Sequence, residues 1–249
     1  MKKIRKILPV SLYDIPGLER WLEEQANEGL FPVRFGMDWA TFVPTGTPGT
    51  RFRVEPCGTE VYDGEGPDQD KQDLYRGFGW DLAFSFDKYN NVLALFYTTD
   101  PEAPELYTDL PAQAATLEPM LDHFRRRLRQ TLYLAPLLVL LFPNSYIGLS
   151  IRRFSSMVFG EYDIHKKAVV PFFIAAIVFF YIAISELLRD YTALSQAQKQ
   201  MAQGIHPAPR GPSRGYLMFS AFNMLLWLVC IAILVVDILF VLSGLFTLH

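Results

Sequence analysis

A chain of 249 residues with a hydrophobic fraction of 51% and a formal net charge of −3 has room for one domain plus membrane spans, and is more apolar than a purely soluble protein of this size. The charge is unevenly placed: Met1 to Asp109 carries 11 Lys/Arg against 19 Asp/Glu, whereas Leu110 to His249 carries 12 against 7. The acidic first half repels phosphate backbones, which excludes nucleic acid as its expected partner, and the basic second half lies beside apolar runs, where lipid headgroups would be.

The opening "MKKIRKILPVSLYDIP" is basic, but its apolar stretch is too short for a secretory signal, so it belongs to the fold. Cys57 and Cys230 fall in different halves, which predicts no structural disulfide and fits a reducing compartment. Residues Lys3 to Val10 read as a strand. Pro16 opens a helix, "GLERWLEEQANEGL", with Leu18, Trp21, Leu22 and Ala26 on one face and Gly29 at its C-terminus. The strands "VRFGMDWATFV" and "TRFRVEPC" follow, separated by the turn-rich "PTGTPG". A second helix, "DKQDLYRGFG", leads to a hairpin, "WDLAFSFDKYNNVLALFYTT", with Asn90 and Asn91 as the turn pair. This order predicts an α+β domain over residues 1–109 of the ferredoxin-like split βαβ type, one antiparallel sheet with helices on one face.

Carried by "RWLEEQANEGL", the aromatic strand pair and "LYRGFGWDLAFSF", roughly Lys3 to Thr99 resembles the bacterial family catalogued as domain of unknown function 2812. The resemblance implies an architecture and no reaction: a cytoplasmic domain joined to a few C-terminal transmembrane helices, in a family often encoded beside PadR-type transcriptional repressors. It brings no catalytic residues with it.

Residues 110–130 predict an amphipathic connector. Leu117, Met120, Leu121, Phe124 and Leu128 recur at helical spacing, and Arg125, Arg126, Arg127 and Arg129 fall largely on other faces. Such a helix suits either a headgroup layer, with the arginines as lipid contacts, or packing on the soluble domain. Three apolar runs, 131–151, 168–188 and 216–246, predict an all-α membrane region of three transmembrane helices. Basic residues on either side of the spans, with the uncleaved first domain, predict a multi-pass protein of the bacterial cell membrane, N-terminus cytoplasmic and C-terminus extracytoplasmic. Past the second span, "RDYTALSQAQKQMAQG" keeps helix formers without proline, so this helix is expected to run on to about residue 203 as a stalk. Tyr191, Leu194 and Met201 would then face the soluble domain or a neighbouring subunit.

The chemistry-bearing residues are sparse. Glu60, Asp63, Glu65, Asp68, Asp70 and Asp73 form an acidic loop that fits no register of a calcium-binding loop. The four histidines are scattered, and no zinc, nucleophile-elbow or phosphate-loop motif is present, so no enzyme, metal or cofactor is predicted. Trp21, Trp39, Trp80, Phe52 and Tyr75 read as core residues before they read as a ligand pocket. In the third span Asn223, Cys230 and Asp237 are spaced by seven and share a face. Asp237 marks the outer end of the span, joins a polar packing seam between subunits, or lines a water path. Asn144, after Pro143, is the other polar interruption, in the first span. The resulting expectation is a membrane-anchored regulatory or sensory protein, a homo-oligomer in the bilayer, whose cytoplasmic domain binds a protein partner or small ligand. The alternative is an oligomeric channel or transporter-like assembly built on the third helix.

Overall fold

The computed structural model describes residues 2–36, 38–58, 66–106, 109–141, 164–208 and 214–246. They form two compact units: Met1–Arg125 with Arg189–Leu217, and Arg126–Leu188 with Met218–His249.

In the first unit the chain runs β1 (Ile4–Ile7), α1 (Ile15–Asn27), β2 (Phe31–Phe35), β3 (Trp39–Val43), β4 (Arg51–Gly58), α2 (Gln69–Gly77), β5 (Asp81–Lys88) and β6 (Asn91–Thr98). The fold is α+β, but the expected single split βαβ sheet is replaced by two three-stranded antiparallel sheets, β1-β3-β2 and β4-β6-β5. A strand has two hydrogen-bonding edges, and both edges of β3 are taken, by β1 and β2, which leaves none for β4. The same connectivity, strand–helix–strand–strand with the first strand on the third, therefore occurs twice. The equivalent strands β2 and β5 meet through side chains: Phe35 packs edge-on against Phe84 and Phe86, with centroids 5.1 and 4.8 Å apart.

Both helices end the same way. Gly29 (φ 80°) and Gly79 (φ 82°) take the left-handed conformation that lacks a penalty only for glycine. The Leu30 and Trp80 N–H groups then donate to the Gln25 and Tyr75 carbonyls, each at 3.0 Å, closing two Schellman motifs and aiming both chains into the next strand. α1 buries Leu18, Leu22 and Ala26, and its Trp21 meets Phe42 edge-on at 5.5 Å. Of the five aromatics expected in the core, Trp21, Trp80, Phe52 and Tyr75 are buried, but Trp39 is 43% exposed. The β5–β6 turn is one residue earlier than expected: Tyr89 (φ 59°) and Asn90 (φ 61°) turn, while Asn91 pairs with Lys88 and is fully buried.

After β6, Asp109 caps α3 (Leu110–Thr116) by accepting from the Ala112 N–H. Next comes α4 (Glu118–Leu141). Leu117, Met120, Leu121 and Phe124 are buried, and Phe124 packs edge-on against Tyr13 and Tyr89 at 4.8 and 6.0 Å. The apolar face offered to a headgroup layer is thus spent on the α+β domain, because aromatic partners from two domain loops already cover it. α5 is a single helix, Ile164–Ala202, of 39 residues, about 58 Å at 1.5 Å per residue. It closes on Gly204 (φ 71°) with the Ile205 N–H on the Gln200 carbonyl at 2.9 Å.

The second unit holds the remainder of α4 and α5 and most of α6 (Arg214–Phe246). Phe179 of α5 meets Trp227 of α6 edge-on at 5.4 Å. Among the described residues one helix, α6 over Gly215–Ala232, is long and apolar enough to cross a membrane. The run 168–188 lies within α5, and 131–151 is covered by α4 as far as Leu141.

Candidate functional site

The helical spacing of Glu19 and Glu23 sets both carboxylates on the side of α1 that faces β4. β4 is an edge strand, so alternate N–H groups have no ladder partner and must find one elsewhere. The Val54 N–H donates to Glu19 at 2.8 Å, and the Phe52 N–H reaches Glu23 at 3.5 Å. Between them Arg53 spreads its fork. Two of its nitrogens donate to both oxygens of Glu105 at 2.8 Å each, and a third lies 3.4 Å from Glu23 and 3.8 Å from Glu19. Arg51 also pairs with Glu105, at 3.1 Å, and both guanidiniums lie over Trp80, 5.3 and 5.6 Å from its ring centroid. Trp80 is fully buried and donates its indole N–H to the Pro104 carbonyl at 2.8 Å, which fixes the platform.

These groups line a cleft of about 350 Å³ whose other walls are Ile15, Leu106, Leu110, Met201 at the end of α5, and His206 and Pro207 beyond it. Burial pushes the Glu19 carboxyl up to about 8, against the pull of Arg53 and the Val54 hydrogen bond, with Glu23 and Glu55 adding to the rise. Arg53 is held above its ordinary value: burial opposes its charge, and Glu19, Glu105 and Glu23 outweigh that. The cleft therefore presents a carboxyl that binds its proton more tightly than an ordinary glutamate, a clamped cation and an apolar rim. That combination suits recognition of a small polar molecule or a peptide segment.

A second constellation joins α5 to the domain. Asp190 has no solvent exposure. Its two oxygens accept from the Ser11 hydroxyl at 2.6 Å and the Lys88 ammonium at 2.8 Å, and Arg189 lies 3.6 Å away. Lys88 is itself held, since the Tyr13 hydroxyl donates to its carbonyl and its ammonium lies 5.0 Å from the centre of the Tyr89 ring. A buried charge with this many partners is stable only while all of them stay, so the contact has one defined geometry.

The predicted stalk residues lie on this segment. Leu194 and Met201 are buried, and Tyr191 accepts a hydrogen bond from Arg125 at 3.3 Å. Gln198 bonds Glu118 at 2.6 Å. Arg125 also pairs with Asp122 and Glu118, while Arg126 and Arg129 are exposed and Arg127 is half-buried. On α6, Asn223 and Cys230 are buried one heptad apart, and neither side-chain atom of the Asn223 amide has a hydrogen-bond partner among the described residues. Asp237 is the next heptad position of the same helix, and its side chain lies outside the described residues, as Asn144 does entirely. In the acidic loop Glu60, Asp63 and Glu65 are also outside. Asp68 caps α2 through the Lys71 N–H at 2.7 Å, and Asp73 pairs with Arg76. No group of three or more metal-ligating side chains occurs among the described residues.

Neither the Glu19–Arg53–Glu105 cluster nor the Ser11–Lys88–Asp190 node stands out in the sequence. The available signals were faint: two glutamates four apart on an otherwise well-formed amphipathic helix, and an aspartate placed just past an apolar run. Compared with protein families, curated proteins and solved structures, the chain matches none.

Proposed function

We propose that this chain is a membrane-anchored regulatory or sensory protein whose α+β domain takes a small ligand or a protein segment in the Glu19–Arg53 cleft and couples through α5 to helices in the bilayer. The observation that supports this most directly is the course of one element. α5 carries the apolar run 168–188, buries Asp190 beneath Ser11 and Lys88, and brings Met201 to the cleft wall. A ligand in the cleft touches both the domain and this helix, so it has differential contacts with which to bias their docking. The reading includes three spans (131–151, 168–188 and 216–246), an inward N-terminus and an outward C-terminus. The α6 segment Gly215–Ala232 and the basic flanks support it.

Two measurements test it. The chain stays with the membrane after an alkaline wash, and a tag on its N-terminus is reached by label only in broken cells. In purified protein, Asp190→Ala lowers the hydrogen-exchange protection of residues 189–202 and of α1–β4 together. Protection lost in the helix alone would show a passive tether.

A second reading, an oligomeric assembly with a polar seam, is favoured by one observation: the buried Asn223 amide, without a hydrogen bond among the described residues, one heptad from Cys230. In that case Asn223→Leu with Asp237→Leu abolishes assembly or conductance. A simple anchor keeps its oligomeric state.

A further inference from the structure

The cations of the acidic half are not evenly satisfied. Seven of the eleven Lys/Arg in the first 109 residues form ion pairs: Lys6, Arg20, Arg51, Arg53, Lys71, Arg76 and Lys88. The four without a carboxylate among the described residues are Lys2, Lys3, Arg5 and Arg34, although this half carries 19 acids to choose from.

These four are neighbours. Arg5 and Arg34 both lie opposite Thr41, so their side chains leave the same face of the β1-β3-β2 sheet, and Lys2 and Lys3 lead into β1. Ile7 and Trp39 are cross-strand partners on that face, 65% and 43% exposed. The Arg5 guanidinium lies 6.0 Å from the Trp39 ring centre. α1 packs on the opposite face, where Trp21 meets Phe42 and Lys6 pairs with Glu28. Unpaired cations around an exposed tryptophan and an isoleucine, on a domain that is acidic elsewhere, match a surface that is anionic outside and apolar just beneath.

We propose that this outer face docks on the anionic headgroups of the membrane that anchors the chain. The inference rests on the membrane reading above and adds a lipid-binding surface to it. Ser11, four residues past Ile7, is bonded to Asp190, which stands two residues past the apolar run 168–188 on α5. Four extended residues reach at most about 14 Å, so Ile7 lies within that distance of Ser11, which holds Asp190. Because the chain is already tethered, a patch too weak to recruit a free domain suffices to orient this one. Screening over ~8 Å at physiological salt lets the local cations prevail over distant acids.

The test uses the full chain reconstituted in vesicles containing lipids brominated near the headgroup. In equimolar phosphatidylglycerol and phosphatidylcholine, part of the tryptophan quenching is lost in Trp39→Phe. The same part is lost in Arg5→Glu/Arg34→Glu and in molar salt, and it is absent in pure phosphatidylcholine. Quenching unchanged by Trp39→Phe, or equal in the two lipid mixtures, overturns the proposal. So does binding of an acidic polypeptide to this face while Trp39 stays unquenched. A chain that washes off the vesicles at alkaline pH overturns the membrane reading itself. A chain that is retained with Trp39 unquenched overturns the docking alone.

Discussion

Glu19 shows how burial turns an ordinary helix residue into a pH-dependent one. Its carboxyl rises on folding from 4.5 to about 8, so the folded state holds its proton more tightly than the unfolded chain does. The stabilisation is complete below the unfolded value and is lost as pH rises through about 8. Glu19→Gln leaves an oxygen for the Val54 N–H and removes the charge. The domain of this variant should be flatter in stability across that window and more stable than the parent at pH about 9, by on the order of 2 kcal/mol. Each unit is worth about 1.4 kcal/mol, the rise is already net of the pull of Arg53, and the buried Gln amide bears part of the same desolvation cost. Denaturant midpoints on either side of that pH check the sign. Asp190 is buried among polar partners: Ser11, Lys88 and Arg189 surround its carboxylate. Asp190→Ala strands the Lys88 ammonium and should cost about 3–5 kcal/mol. Adding Lys88→Met should recover a large part, and a double-mutant cycle followed by thermal unfolding measures the coupling. Cys57 is pushed up to about 11, chiefly by burial, so it should alkylate slowly at neutral pH.

At the level of elements, what was legible is what a short window encodes. Gly29 and Gly204 follow the last apolar positions of their helices, and both adopt the positive φ that a helix end needs. The β5–β6 hairpin was visible, but its turn was not placed correctly. Asn90 and Asn91 are equally good turn formers, and the choice falls to Tyr89–Asn90 because Tyr89 stacks on Tyr13 and Asn91 donates to the Tyr13 hydroxyl at 3.4 Å. Asn90→Gly should therefore stabilise the domain by about 0.5 kcal/mol, whereas Tyr89→Gly should destabilise it despite the easier φ. Unfolding midpoints of the two variants, moving in opposite directions, check this. The amphipathic stripe of α4 was equally visible and its destination was not. Period 3.6 identifies an apolar face but does not say whether lipid or protein covers it, and here Tyr13 and Tyr89 do.

At the level of the whole molecule the first 98 residues repeat one connectivity, and the two copies divide their labour. The first presents an uncovered cationic face, while the second supplies Arg53, Trp80 and Lys88 to the two polar constellations. In the second unit, the buried Asn223 amide has no hydrogen-bond partner among the described residues. For an anchor that works as a single copy, Asn223→Leu should raise the unfolding free energy by about 1–3 kcal/mol and leave the oligomeric state untouched. Sedimentation in detergent alongside thermal unfolding distinguishes this from a seam, which would lose assembly.

By itself the sequence determined what acts over a few residues: the helices and their glycine ends, the alternating strands, the apolar runs and the contrast in charge between the halves. Only the tertiary structure decided that β3 has no free edge for β4, that Trp39 faces outward, and that burial raises the Glu19 carboxyl. It also decided which cations find a carboxylate and which do not. The reason is reach. Local propensity is set by neighbours within about one turn, whereas burial and ion pairing join groups as distant as Ser11 and Asp190, 179 positions apart, and their strength depends on how much water the intervening chain excludes.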